Sequence, residues 1–257
     1  MLGMKNKNLA SWSVDKTHYE DSEGLFSGRG STPIHLQLAK TLALEIVRGE
    51  RKPGDLFPSE LDMSVALSIS RTAVRDAFRT LAAKGMVEPR SKRGTCVTEK
   101  TKWSLLDPDL LNWMFASNPD PALVRNLFEM RLIIEPAVAA LAARRRKETH
   151  LEVMARALTT MDRETLTTEA GQQADKEFHA ALMAAAGNDQ LASLNASIGA
   201  SIALSTQYKV EHDILGNDPV GAHRAVYDAI ERRDPVEAKW LMESLIRQAM
   251  KDFVERN

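Results

Sequence analysis

The sequence predicts a mainly α protein: a winged helix-turn-helix near the N-terminus, then an all-helical antiparallel bundle of six or seven helices. Three observations carry this. Between Pro58 and Thr98, an apolar helix pattern, a serine-capped arginine helix and a basic glycine-containing turn follow one another. From about Pro121 onward, the long segments repeat apolar residues at helical spacing, and no strand candidate or internal repeat stands out. The breaks between those segments are short, at Gly187-Asn188, Gly216-Asn217 and Arg233-Asp234-Pro235, which suits antiparallel neighbours.

Residues 1–31 mix glycine, serine and charge without a sustained period. They read as a flexible arm, either a passive tail or one that touches DNA through Lys5, Lys7 and Arg29. Thr32-Pro33 starts a helix whose stripe is Ile34, Leu36, Leu38, Leu42, Ile46 and Val47, ending near Gly49. Arg51 to Leu56 form a turn. Ser59-Glu60, just after a proline, opens a second helix with Leu61, Val65, Ala66 and Ile69 as its apolar pattern. Ser70 is placed to cap a third helix, in which Val74, Ala77, Phe78 and Leu81 fall at i, i+3, i+4 and i+7. Arg71, Arg75 and Arg79 repeat on another face, and Gly85 follows Lys84 as a C-terminal stop. Met86–Arg90 and Thr95–Thr98 then read as two strands around the basic turn Ser91-Lys92-Arg93-Gly94. The domain so defined spans 32–99.

The chemistry of DNA reading needs these residue types in this order. A helix fits the major groove, and its N-terminal residues reach base edges. Arginine offers a fork of donors that matches the O6 and N7 acceptors of guanine, or a phosphate. Lysine and arginine on the wing add affinity and salt dependence along the backbone but little sequence reading. The plainer alternative is a solvated basic face on some other small domain.

Whole-chain properties agree with a local basic module. The 257 residues carry a formal net charge of −1, so the chain is not globally basic. Pro33 to Lys100 nevertheless holds twelve lysines and arginines against eight acidic residues. The single cysteine, Cys96, argues against a disulfide framework or a cysteine-based zinc site. No apolar run approaches a membrane span and no signal peptide is evident, so a soluble, cytoplasmic protein is expected.

Residues 100–118, within EKTKWSLLDPDLLNW, form a linker and docking segment in which Trp103, Leu105, Leu106, Leu110, Leu111 and Trp113 are the apolar anchors. The helical half, 119–257, contains segments near Pro121–Arg146, Leu151–Met161, Thr165–Ala186, Gln190–Tyr208, Pro219–Glu231 and Pro235–Val254. Asp175 and His179 lie at i and i+4 on an otherwise apolar face, and His223 opens a later helix. A carboxylate and an imidazole at this spacing can hold one metal ion from a single helix; a hydrogen-bonded pair is the plainer reading. Arg131 and Glu135 share one face of an apolar helix, where a buried charge needs a partner, so a mutual ion pair is expected. Arg144, Arg145 and Arg146 read as a solvated run at a helix end, and His150 and His212 as surface residues.

The stretches IVRGERKPGDLFPSEL and SISRTAVRDAFRTLAAKGMVEPRSKRGTCV resemble the DNA-binding domain of the GntR family of bacterial transcription regulators, over about Pro33 to Val97. In the FadR branch, the matching residues imply that Ser70, Arg71, Thr72 and Arg75 touch DNA, together with the wing residues Lys92, Arg93 and Gly94. The order DKEFH, a Gly-Asn break, AHRAVYDAI and RRDPVEAKWLM resembles the helical FCD effector and dimerisation domain of that branch. This implies a divalent metal, zinc first, on Asp175, His179 and His223, and an effector carboxylate on Arg131. The sequence departs from the family at the fourth ligand, a histidine that should fall near Leu245. Either water and the effector complete the coordination, or metal binds weakly, or the pocket works without it.

KWSLLDPDLLNW and FEMRLIIEPAVA are further similar to sugar-acid-responsive members of the family, which implies an aldonate-type effector. The resulting expectation is a ligand-responsive homodimeric regulator, a repressor of a sugar-acid catabolic operon, acting on double-stranded operator DNA. The contrasting readings are a helical metalloenzyme tethered to DNA and a non-specific architectural DNA binder.

Overall fold

The computed structural model describes residues 32–91, 93–117, 120–211 and 219–254. The expected N-terminal arm, Lys92, His212 and the Gly216-Asn217 break lie outside the described residues. The chain divides into two compact units, Met1–Leu105 and Leu106–Asn257.

In the first unit, α1 (Ile34–Val47) packs on α3 (Arg71–Ala83), with α2 (Glu60–Leu67) against α3. Two strands, β1 (Val87–Arg90) and β2 (Gly94–Val97), pair antiparallel with Val87 opposite Val97 and Arg90 opposite Gly94. This is a winged helix-turn-helix. The sequence dictates the helix starts: the Ser59 hydroxyl accepts from Asp62 N, and the Ser70 hydroxyl accepts from Ala73 N. Val74, Ala77, Phe78 and Leu81 of α3 are buried against Leu38, Leu42 and Ile46 of α1. Burial of such side chains contributes about 1.5–3 kcal/mol each.

Two sequence expectations need correction here. Leu61 and Val65 do not face the core; they are 54% and 72% exposed, and Met63 supplies the buried contact of α2. Met63 takes the inward face of α2, and Leu61 and Val65, two positions to either side of it, fall about 200° round the helix. Ile34 and Leu36 are likewise on the outer side of α1, where Ala39 and Ala43 join the buried stripe.

Gly85 ends α3 at φ +75°. The chain there is fastened to the segment beyond the wing: Thr98 Oγ1 donates to Gly85 O, and Ser104 N donates to Lys84 O. Lys102 pairs with Glu88 at 2.7 Å. A Cβ added at Gly85 would overlap the Lys102 carbonyl, which is backbone and cannot swing aside. Gly85→Ala is therefore expected to cost about 2–4 kcal/mol, through both the overlap and the positive φ. Denaturant unfolding of the chain checks this, and an unchanged midpoint would show that the 100–104 segment yields freely.

The second unit comprises α4 (Pro108–Ala116), α5 (Pro121–Arg145), α6 (Glu148–Glu164), α7 (Glu169–Ala185), the single turn α8 (Asp189–Ala192), α9 (Asn195–Glu211), α10 (Pro219–Glu231) and α11 (Pro235–Val254). Six are long. Asp107, Asp120 and Thr168 cap α4, α5 and α7, and Pro108 and Pro121 sit in the first turns where a missing N–H costs nothing. The segment expected as one helix from Gln190 to Tyr208 is broken after Ala192, because Asn188 caps a separate turn. The helix expected from Thr165 starts at Glu169 instead: Thr165 has φ 58° and terminates α6. Leu110 and Leu111 are fully buried, Leu111 against Leu127 and Leu204.

Helix α5 packs along α11, and α6 along α7. Of the arginines at the end of α5, Arg144 is exposed as a solvated run would have it, while Arg145 and Arg146 make contacts across the fold. Arg145 donates to Ala186 O at 2.9 Å, and Arg146 to Glu231 O at 2.8 Å. Arg233 donates back to Arg144 O. These cations satisfy carbonyls left open at helix C-termini, and so hold the end of α5 to the ends of α7 and α10. His150 is a capping residue: its Nδ1 accepts from Lys147 N.

Candidate functional site

Two places carry chemistry, one in each unit. In the first, Ser70 caps α3 while Arg71, Thr72 and Arg75 stand exposed on its first two turns. The apolar face of α3 is consumed by the core, so the arginine face has nowhere to point but outward. Arg71 lies 3.7 Å from Glu60, and Arg79 lies 3.1 Å from Asp76. Arg75 has no ion pair among the described residues. Arg93 is exposed at the wing tip, and Gly94 follows with φ +94°, a conformation that favours glycine there. Arg90 is drawn to Glu88 at 2.5 Å.

In the second unit, helices α5, α7 and α10 bring five ionisable side chains together in the interior, and α9 adds two hydroxyls. Arg131 and Glu135 on α5 are 3% and 0% exposed; Asp175 and His179 on α7 and His223 on α10 are 4%, 2% and 5% exposed. Arg131 Nε donates to Glu135 Oε1 at 2.6 Å, and one terminal nitrogen donates to Ser205 Oγ at 3.3 Å. The other Glu135 oxygen lies 2.5 Å from His179 Nδ1, a short contact whose angle falls outside hydrogen-bond geometry. His179 Nε2 is 3.6 Å from Asp175 Oδ1 and 3.3 Å from His223 Nε2, and His223 Nε2 is 3.0 Å from Asp175 Oδ1. Thr206 on α9 donates to Asp175 Oδ2 at 3.4 Å. Pro136, following Glu135, continues α5 through this region without a backbone donor of its own.

Electrostatics keep the carboxylates ionised. Burial alone would raise the Glu135 carboxyl, but the Arg131 guanidinium and His179 hold it down to about 2. Burial would also raise Asp175, yet His223, His179 and Arg131 keep it well below the usual carboxylate range.

The cluster fits a metal ion. A metal about 2.1 Å from each ligand, at tetrahedral or octahedral angles, keeps its ligand atoms about 3.0–3.4 Å apart; Asp175 Oδ1, His179 Nε2 and His223 Nε2 stand 3.0, 3.3 and 3.6 Å from one another, two pairs within that range and one slightly beyond it. Asp175 Oδ1 is buried without an aligned hydrogen bond, as an atom waiting for a cation would be. Glu135 beside His179 Nδ1 supplies the outer carboxylate that metal-binding imidazoles use for orientation. The position near the expected fourth histidine is Leu245, 9% exposed in the apolar core. Zinc added to metal-free protein is expected to raise the melting temperature by several degrees, and His223→Ala to abolish that rise. Equal shifts in both proteins would place the ion elsewhere.

Sequence reasoning expected a helix at α9 but gave it no part in the site. Ser205 and Thr206 reach Arg131 and Asp175, and buried hydroxyls at i and i+4 in SIGASIALST were the available signal.

Comparisons with known proteins identify the two domains. Residues 35–97 match the family model described as bacterial regulatory proteins, gntR family, and residues 126–248 match the FCD domain. The chain is 32% identical over 201 residues to the galactonate operon transcriptional repressor of Escherichia coli, covering 76% of this chain and 85% of that one. It is 31% identical over 203 residues to the HTH-type transcriptional regulator LutR of Bacillus subtilis, covering 77% and 90%. A solved structure of Lar, which controls expression of the Listeria monocytogenes agr system, superposes with a TM-score of 0.63 at 18% identity, over 90% of this chain and 100% of that one. That last likeness concerns the fold alone. The domains and relatives matched are transcription regulators and not enzymes, which sets aside the tethered metalloenzyme. Among the described residues no helix is long and apolar enough to cross a membrane.

Proposed function

The chain belongs to the GntR family of ligand-responsive bacterial transcription regulators, with an FCD domain behind its DNA-binding domain, and on that premise we propose that it represses a sugar-acid catabolic operon and is released by an aldonate. It acts as a homodimer on a two-fold operator, one α3 per half-site. Ser70, Arg71, Thr72 and Arg75 read or position the DNA, and Lys92, Arg93 and Gly94 carry the wing along the backbone. Arg131 grips the effector's carboxylate, and Asp175, His179 and His223 hold a divalent metal, zinc first.

The observation that carries this reading is the buried cluster itself. Two of the five guanidinium donors of Arg131 are engaged, by Glu135 and Ser205. A carboxylate matches the remaining fork. A metal held by three protein atoms supplies a Lewis-acidic centre with positions left for ligand oxygens. Arg131 would orient the carboxylate, and Glu135 would fix both Arg131 and the His179 ring. The relatives named as a galactonate operon repressor and as the repressor NanR of Cronobacter sakazakii, 29% identical over 205 residues, support repression as the output.

Effector binding changes operator affinity only if the two conformations bind the effector differently. A panel of aldonates, titrated with zinc present, is expected to include one that weakens operator binding at least about tenfold, a coupling of about 1.4 kcal/mol. Fluorescence anisotropy on operator DNA measures it. An aldonate that binds tightly yet leaves operator affinity unchanged would refute the coupling.

A further inference from the structure

Helix α9 carries serines at 197, 201 and 205, each four residues from the next, and therefore on one face. All three are buried, at 8%, 1% and 7% exposure. The outer two have partners. Ser197 Oγ donates to Leu106 O at 2.6 Å. Ser205 Oγ donates to Ile202 O at 2.9 Å and accepts from Arg131. Ser201, the most buried of the three, has no hydrogen-bond partner among the described residues.

That is an unusual state for a helical hydroxyl. A serine or threonine inside a helix ordinarily turns back to a carbonyl of the preceding turn, as Thr159, Thr160 and Thr80 do here. Ser201 forgoes that bond and is shut away from solvent, which leaves both its donor and its acceptor capacity unspent. A buried polar group in this condition calls for an explanation, and a ligand is one. Its neighbours on α9 point to which. One turn along the same face, Ser205 touches Arg131, and the adjacent Thr206 touches Asp175. The apolar residues flanking it pack elsewhere, Ile198 and Ile202 in the main core and Leu204 against Leu111 and Leu127.

We propose that Ser201 is a specificity residue, whose hydroxyl pairs with a hydroxyl of the bound effector while Arg131 holds its carboxylate. The ligand class is then a polyhydroxylated carboxylate, and a plain short-chain acid leaves Ser201 unpaired. This rests on the sugar-acid reading and adds to it the residue that tells a hydroxylated acid from a bare one. A site built to pair a ligand hydroxyl rejects the analogue lacking it, because its own polar group is then stranded.

The test compares Ser201→Ala with the unaltered full-length protein, both loaded with zinc, by calorimetric titration of galactonate, gluconate and related aldonates. Alongside, the melting temperature is measured without effector. The expected result is a loss of about tenfold in affinity for the best aldonate, with a ligand-free melting temperature that is unchanged or raised by a few degrees, since the variant removes an unpaired buried hydroxyl. Unchanged affinity in the variant overturns the proposal while leaving the sugar-acid reading intact. Weaker binding together with a lowered melting temperature also overturns it, by showing that Ser201 supports the fold. If the unaltered protein binds no aldonate, the sugar-acid reading fails first and this inference with it.

Discussion

Arg75→Ala is expected to remove most of the preference for operator over random DNA, a loss of about 1–3 kcal/mol or roughly 5- to 150-fold in the specificity ratio. The argument starts from α3. Its buried face is filled by Val74, Ala77, Phe78 and Leu81, so the helix is rigidly seated and its outer face is fixed in space. Three arginines lie on that outer face, but they are not equivalent. Arg71 is near Glu60 and Arg79 is bonded to Asp76, so either must give up a partner before meeting a base. Arg75 keeps its planar fork exposed, within the first two turns. Alanine at this position touches nothing in the core, so the variant should melt like the parent. Arg93→Ala is the control. From the wing it should weaken operator and random DNA alike and lower the salt slope by about 1. Equal, small and sequence-independent losses from both variants would show that α3 does not read bases through Arg75.

Much of this was legible in the sequence because the relevant signals are local. A cap, a helical period and a stop glycine are decided within a few residues, and Ser70, the Val74-to-Leu81 stripe and Gly85 all fall where that logic puts them. The i, i+4 pairs Arg131/Glu135 and Asp175/His179 were visible for the same reason. What local logic misses is which of two apolar faces a short helix buries, as Leu61 and Val65 show. It also misses contacts made across the fold. Arg145 and Arg146 look like a solvated run until the ends of α7 and α10 come alongside. The link from Glu135 to His179 turns two separate helix pairs into one buried chain of charges, and it exists only because α5 and α7 are neighbours. Ser201, Ser205 and Thr206 were silent because serine and threonine in a helix ordinarily bond to their own backbone.

The largest effect is expected at Arg131. Arg131→Ala leaves the Glu135 carboxylate, 0% exposed, without its main cation, and should lower stability by about 3–5 kcal/mol while abolishing the response to effector. By itself that result is ambiguous, because a damaged core and a lost ligand contact look alike. The double variant Arg131→Met/Glu135→Gln separates them. Removing both charges of a buried pair costs little compared with removing one, and glutamine retains an oxygen beside His179 Nδ1. Its melting temperature should return to within a few degrees of the parent. The response should not return, since methionine offers a carboxylate no donor. Operator binding without effector should be normal in the double variant, and addition of the aldonate should no longer release it. If the double variant is stable and the aldonate still releases it at the parent's concentration, Arg131 serves only to hold Glu135, and the carboxylate is bound by other groups.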